Sequence, residues 1–118
     1  MIKRVAIDQI VLRSAHYREL IEFYCNVIGC TLERETTAEF GLTQLRAGNA
    51  LIDIVDVNGK LGKTGGAAPG PTGNNLDHFC LQIEAFDEAE LIAFLRSQGV
   101  DCGEFHERYG ARGMGRSL

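Results

Sequence analysis

Hydrophobic and polar positions at the start of the chain follow first a strand pattern and then a helix pattern. Residues 5–13 are rich in β-branched and aliphatic side chains, which predicts a strand with Gln9 between aliphatic neighbours on one face. The next apolar positions have the i, i+3, i+4, i+7 spacing of an amphipathic helix: Leu20, Phe23, Tyr24 and Val27. Ser14 is suited to cap this helix at its start, and Gly29 is suited to end it.

Three further strands are predicted before the composition changes. Their ranges are 31–36, 40–46 and 50–57, so the first unit has the order β-α-β-β-β. Residues 58–75 contain six glycines and both prolines of the chain, a composition typical of a linker or a mobile loop.

The second half of the chain repeats the first at an offset of about 70 residues. Segment 8–12 (DQIVL) is echoed by 77–81 (DHFCL) at an offset of 69, and segment 20–24 (LIEFY) by 91–95 (LIAFL) at an offset of 71. The glycine that ends each predicted helix follows at an offset of 70. Three matches at a nearly constant spacing indicate a duplicated structural unit.

The second unit has weaker but equivalent signals. A strand is predicted at 76–83, and a helix from Asp87, which forms an Asp-x-x-Glu capping box with Glu90. A strand near 100–106 and a loop at 108–115 come next, and a last strand begins only at position 116.

These elements predict an α+β fold of two tandem βαβββ modules, the second incomplete at the C-terminus. At 118 residues the chain is expected to be a single domain. Its expected parts are module one at 1–57, the linker at 58–75 and module two at 76–118. We expect the counterpart of strand 50–57 to fall beyond Leu118.

Composition narrows the classes of partner. The formal net charge of -4 provides no basic field for nucleic acid, which is therefore an unexpected partner. No apolar run reaches membrane-spanning length, and the start lacks the apolar stretch of a secretory signal, so a cytoplasmic location is expected by default. The four cysteines form no Cys-x-x-Cys pair and are expected to be free, structural thiols.

Three polar residues are candidates for a site. Gln9 and His78 have the same register in the two equivalent opening strands, so a pseudo-twofold fold would bring both to a central cleft. Asp53 is flanked by aliphatic residues on a predicted strand, and a buried carboxylate needs a metal, a hydrogen-bond donor or water as partner. Their donor atoms suit a borderline divalent ion such as Zn²⁺, Ni²⁺ or Mn²⁺. Each residue has an alternative interpretation. Gln9 could be an amide that only forms hydrogen bonds, Asp53 a charged residue near a strand end, and His78 an ordinary strand histidine.

Five segments of the chain have an informative order and spacing: IDQIVLR, LIEFYCNVIGCTL, ALIDIVDV, NLDHFCLQI and ERYGARGMGRSL. In these segments the chain resembles the vicinal oxygen chelate superfamily, which includes glyoxalase I, extradiol dioxygenases, and fosfomycin- and bleomycin-resistance proteins. The resemblance implies two βαβββ modules that form an open, half-barrel-like sheet around one metal. It places Gln9 and His78 at the first-strand ligand positions, and Asp53 at the carboxylate position of module one.

The sequence departs from the family pattern in two ways. Gln9 stands where His is commoner, which fits glyoxalase I and counts against the dioxygenases and fosfomycin enzymes. The closing Glu, which in glyoxalase I binds the metal and helps to move the substrate proton, is expected beyond Leu118. Three explanations stay open: a truncated form, a site completed by a partner chain, or lost metal chemistry.

The resemblance leads to two functional hypotheses. The first is a glyoxalase I-like metal-dependent lyase or isomerase, similar to lactoylglutathione lyase, that acts on a small carbonyl or thiol-conjugate substrate and is poorly active in this 118-residue form. The alternative is a metal-free ligand-binding protein that sequesters an antibiotic, as bleomycin-resistance proteins do. A degenerate member without a ligand is a third alternative.

Two further expectations concern substrate and assembly. By resemblance, Arg108, Arg112 and Arg116 lie on a loop that covers the cleft, where they would bind an anionic substrate; a solvated loop is the alternative. A homodimer is expected from the resemblance and from the unpaired edge that an unfinished sheet leaves.

Overall fold

A computed structural model describes residues 1–118, the whole chain. It contains two compact units, Met1–Phe79 and Cys80–Leu118. The elements of the first unit are β1 (Gln9–Ser14), α1 (Tyr17–Asn26), β2 (Thr31–Glu35), β3 (Leu42–Ala47), β4 (Ala50–Asp56) and α2 (Lys60–Lys63). Those of the second unit are α3 (Glu88–Ser97), β5 (His106–Gly110) and β6 (Gly113–Ser117). The predicted α+β class and the βαβββ order of module one are confirmed.

The first unit is built on an open, mixed four-stranded sheet in the order β1-β4-β3-β2. β1 runs parallel to β4, and the other two pairs are antiparallel. A two-residue turn joins β3 to β4, and its first residue, Gly48, has a φ of +62°, a conformation that favours glycine. This turn pairs Ala47 with Ala50 and therefore Gln44 with Asp53.

β1 is shorter than the predicted strand 5–13. Pairing begins at Gln9, which lies opposite Leu51, and the backbone N–H of Leu51 also donates to the carbonyl of Asp8. Because β4 starts at Ala50, directly after the tight turn, residues 5–7 have no strand residues to pair with.

The core lies between α1 and one face of the sheet. Leu45 and Ile54 are completely buried there, and the hydroxyl groups of Tyr17 and Thr43 share a buried hydrogen bond. The core residues are Leu12, Tyr17, Tyr24, Cys30, Leu45, Ile52 and Ile54. Burial raises the pKa of the Cys30 thiol, and all four cysteines are free, as predicted.

The ends of α1 differ in how closely they follow the prediction. The helix begins at Tyr17 with His16 in the N-cap position, and no side chain caps it, so the prediction for Ser14 is wrong. Instead, the Ser14 hydroxyl accepts a 2.9 Å hydrogen bond from the backbone N–H of His16, which stabilises the turn before the helix. Gly29 has a φ of +84° just after the helix, as expected for a residue that ends it.

Segment 58–75, predicted as a linker or mobile loop, is bound to β1 through Arg13. The Arg13 guanidinium donates to the backbone carbonyls of Gly62, Gly66 and Ala67 at 3.0, 2.9 and 3.0 Å. The side-chain amide of Asn75 bonds the backbone N–H and the carbonyl of Arg13, as a neighbouring strand would. The glycine-rich segment is therefore joined to β1 by the guanidinium of Arg13 and by the side chain of Asn75.

Replacing Gly62 with alanine is expected to destabilise the protein by about 1–3 kcal/mol or more. A β-carbon at this position in α2 would lie 1.9 Å from the carbonyl oxygen of Asp56, which is backbone and cannot rotate away. Chemical denaturation of Gly62→Ala measures the change. The control is Gly103→Ala, because a β-carbon at Gly103 meets nothing within 4 Å; equal stability of the two variants would contradict this packing.

The structure of predicted module two, residues 76–118, agrees with some predictions and differs from others. The Asp87 carboxylate caps α3 by accepting a 2.9 Å bond from the Glu90 N–H, as predicted. The strand predicted at 76–83 does not form, because no strand pairs with it and an extended segment without a ladder leaves its backbone groups unpaired. The strand predicted at 100–106 is also wrong, since β5 begins only at His106.

The predicted loop 108–115 is instead most of a β-hairpin. β5 and β6 pair antiparallel, with Gly110 opposite Gly113 and a two-residue turn between them. Gly113 has a φ of +91°, which only glycine adopts readily, so the glycines shape the turn of a hairpin. None of the helices is long and apolar enough to cross a membrane.

Candidate functional site

Two of the three predicted site residues share one face of the sheet. Gln9 is paired with Leu51, and the next residue on the same face, Val11, is paired with Asp53. Because successive side chains on a strand alternate between faces, Gln9 and Asp53 project from the face opposite the core and are diagonal neighbours on adjacent strands.

Asp53 is a buried carboxylate with one partner. Its side chain lies on the central strand β4, and the residue is only 3% exposed. Oδ2 accepts a 3.0 Å hydrogen bond from Nε2 of Gln44, whereas Oδ1 is buried and has no hydrogen-bond partner. An unsatisfied buried acceptor costs about 1–3 kcal/mol, and more when it is charged. Oδ1 is therefore a position at which a cation or a donor would be stabilised.

The arginines on the same face of the two flanking strands do not pair with the carboxylate of Asp53. Arg13 on β1 is held by the carbonyls of segment 58–75. Arg46 on β3 donates to both carboxylate oxygens of Glu33, at 3.3 and 3.0 Å. This pairing lowers the pKa of Glu33 through the hydrogen bond from Arg46. Each guanidinium is bonded to acceptors other than Asp53. The Asp53 carboxylate therefore has no cationic partner within the protein.

His78 is highly exposed and lies outside any strand. Its side chain is 82% exposed, and Nδ1 is 2.5 Å from Oδ2 of Asp77. A carboxylate accepts hydrogen bonds, so this contact suits a proton on Nδ1 and leaves Nε2 as the ring nitrogen that faces away from Asp77. Histidines that bind metals typically donate their other ring N–H to a carboxylate in this way.

The donor atoms of Gln9, Asp53 and His78 are therefore of the types that bind divalent ions. Gln9 and Asp53 offer oxygens from one face of the sheet, and His78 offers a ring nitrogen. His78 lies outside the sheet that carries Gln9 and Asp53, and no group of three His, Cys, Asp or Glu side chains is arranged to hold an ion.

The three candidate arginines do not form one patch. Arg116 makes two hydrogen bonds to the Glu88 carboxylate, at 2.6 and 3.0 Å, and these lower the pKa of Glu88. Arg108 donates to the carbonyl of Ser117 at 3.0 Å. In the hairpin register Arg108 lies opposite Gly115, one position from Arg116, so the two arginines point to opposite faces. Arg112 is in the turn between the strands.

Gln44 is a site residue that the sequence interpretation did not identify. The sequence contained the information needed to find it. A two-residue turn that includes a glycine fixes the register of the two strands that it joins. The Gly48-Asn49 turn places Gln44 directly opposite Asp53.

A family model described as the Glyoxalase/Bleomycin resistance protein/Dioxygenase superfamily matches residues 6–116. The chain belongs to this superfamily. The resemblance to the vicinal oxygen chelate proteins is thereby confirmed. Members of the superfamily often use divalent metals, commonly bind small molecules and dimerise. A search of curated protein sequences gives no match.

Solved structures show the glyoxalase superfamily fold at low sequence identity. A virulence protein from Salmonella typhimurium has a TM-score of 0.66 and 18% identity, with 98% of this chain and 85% of that chain covered. An integron cassette protein from the mobile metagenome of V. cholerae has a TM-score of 0.63 and 17% identity, with coverage of 98% and 85%. A lactoylglutathione lyase from Agrobacterium tumefaciens has a TM-score of 0.58 and 18% identity, with coverage of 93% and 81%. These similarities support the fold alone.

Proposed function

We propose that this chain is a glyoxalase I-like, metal-dependent lyase or isomerase that acts on a small carbonyl or thiol-conjugate substrate. The observation that carries the proposal is the unpartnered, buried Oδ1 of Asp53 on the same sheet face as Gln9. In a superfamily whose members often use divalent metals, such an oxygen is best explained as a ligand. The proposed reaction is of the type that the name of one similar structure, a lactoylglutathione lyase, describes.

In this proposal Gln9, Asp53 and His78 hold a divalent ion such as Zn²⁺, Ni²⁺ or Mn²⁺. A bound divalent ion polarises a substrate carbonyl and stabilises the negative charge that develops on its oxygen. Asp53 supplies the negative charge of the site, and Gln9 and His78 supply neutral donors, so the ligands leave the ion a net positive charge for this role. We assign no general base to the residues of this chain.

The arginines have unequal roles in the proposal. Arg108 and Arg116 already bond a backbone carbonyl and Glu88, respectively. Arg112, in the turn of the hairpin, is therefore the arginine we propose for binding an anionic group of a substrate.

A homodimer also belongs to the proposal. β1 is an edge strand, and Asn75 bonds its outer backbone groups only at Arg13. Val11 on this strand is 50% exposed. An edge with free backbone groups and apolar side chains is suited to pair with a second copy of the chain.

The test of the metal site is calorimetric titration of the metal-stripped protein with Zn²⁺, Ni²⁺ and Mn²⁺. We expect stoichiometric binding by the wild type and binding at least about tenfold weaker in His78→Ala, because one ligand is removed. His106→Ala is the matched control, since His106 is also exposed but belongs to β5, and it should bind like the wild type. Absence of binding in the wild type would contradict the proposal and favour the metal-free, ligand-sequestering alternative.

A further inference from the structure

We propose that Gln44 is a positioning residue for the metal site, one that orients the Asp53 carboxylate without binding the ion itself. This inference rests on the proposed function. The sequence pattern predicts no role for Gln44. Its side chain is partly buried on β3, directly opposite Asp53.

The hydrogen bond from Gln44 makes the two oxygens of Asp53 unequal. Nε2 donates to Oδ2 at 3.0 Å, and Oδ1 has no partner. Rotation of the carboxylate about its last torsion would exchange the oxygens, but it would break and remake this bond. Gln44 therefore holds the carboxylate in one orientation, in which Oδ1 is the oxygen without a hydrogen-bond partner.

A neutral donor is required for this task. An arginine or lysine at position 44 would compensate the charge of Asp53 and compete with an incoming cation. The amide of Gln44 orients the carboxylate and leaves its charge in place. The nearest arginine on the same strand and face, Arg46, is bound to Glu33, which keeps it from taking this role.

The geometry also limits how Asp53 can bind an ion. With Oδ2 engaged, Asp53 is a one-oxygen ligand. Ions that commonly take both oxygens of a carboxylate, such as Ca²⁺, gain less from such a site than small ions that accept a single oxygen. We expect a preference for Zn²⁺ over Ca²⁺ that weakens when the Gln44 donor is removed.

The experiment measures Zn²⁺ affinity by calorimetry in Gln44→Met, a variant of similar shape without the donor. We expect affinity to fall about 10–100-fold relative to the wild type. The absorption spectrum of the Co²⁺-loaded protein should also change, because it reports ligand geometry, which a purely structural role would leave unaltered. Gln44→Leu serves as a second variant, and circular dichroism identifies any variant that does not fold.

A double-mutant cycle shows whether the effect acts through Asp53. In an Asp53→Asn background, which retains one side-chain oxygen, Gln44→Met should cause less than a threefold further loss of Zn²⁺ affinity. A loss as large as in the wild-type background would overturn the positioning role. Unchanged affinity in folded Gln44→Met would also overturn it while leaving the metal site intact, whereas no Zn²⁺ binding by the wild type would reject the proposed function itself.

Discussion

Replacing Ile54 with alanine is expected to lower the free energy of unfolding by about 2–5 kcal/mol. Ile54 lies on the central strand β4 and is completely buried between the sheet and α1. Truncation removes buried methyl and methylene groups and leaves a cavity that strands on both sides keep from collapsing. Denaturant unfolding followed by circular dichroism measures the change.

The same substitution at Ile7 is the control. Ile7 precedes β1 and is 74% exposed, so Ile7→Ala should change stability by less than about 0.5 kcal/mol. A similar loss in the two variants would contradict the location of the core.

Replacing Asp53 with valine and Gln44 with methionine together is expected to abolish metal binding without lowering stability. The double variant removes a buried oxygen that has no partner and also removes the donor that would be left unpaired by a change at Asp53 alone. Replacement of both members of a buried polar pair by apolar groups is often neutral or stabilising. We expect the metal-free double variant to be between equal to the wild type and about 2 kcal/mol more stable.

Urea unfolding of the metal-free proteins is the measurement, with the single variant Asp53→Val for comparison. The single variant should be less stable than the double, because Nε2 of Gln44 loses its acceptor. If the double variant were less stable than the wild type by more than about 1 kcal/mol, the Asp53–Gln44 pair would be structural, and its explanation as part of a site would fail.

The first module was predictable because its periodic signals are strong and its strands pair locally. The helix at Tyr17–Asn26 follows from the spacing of its apolar residues, and β3 and β4 are joined by a tight turn. The start of β1 could not be predicted, since it depends on where β4 begins. The contacts between Arg13 and the glycine-rich segment could not be predicted either, because they involve three backbone carbonyls that are distant in sequence.

The second module shows the limit of a repeat argument. Segment 76–83 has the same alternation as β1, but alternation describes which side chains share a face and does not provide a pairing partner. The predicted loop 108–115 includes Gly110 and Gly113, which in the structure form the ends of a two-residue hairpin turn.

The candidate site was predicted in part. The need of Asp53 for a partner followed from its aliphatic neighbours, and the structure shows one partner, Gln44, and one unpartnered oxygen. The assignment of Gln9, Asp53 and His78 as ligands stays a prediction. Sequence could not anticipate that Arg108 and Arg116 point to opposite faces, because this depends on the register of the hairpin.

The most direct test of the metal site is a crystal structure of the Zn²⁺-loaded protein with anomalous scattering measured at the zinc edge. We expect one strong peak bonded to Oδ1 of Asp53, the side-chain oxygen of Gln9 and Nε2 of His78, with Oδ2 still bonded to Gln44. A peak that does not contact Asp53, or no peak in crystals grown with excess Zn²⁺, would contradict the proposed metal site.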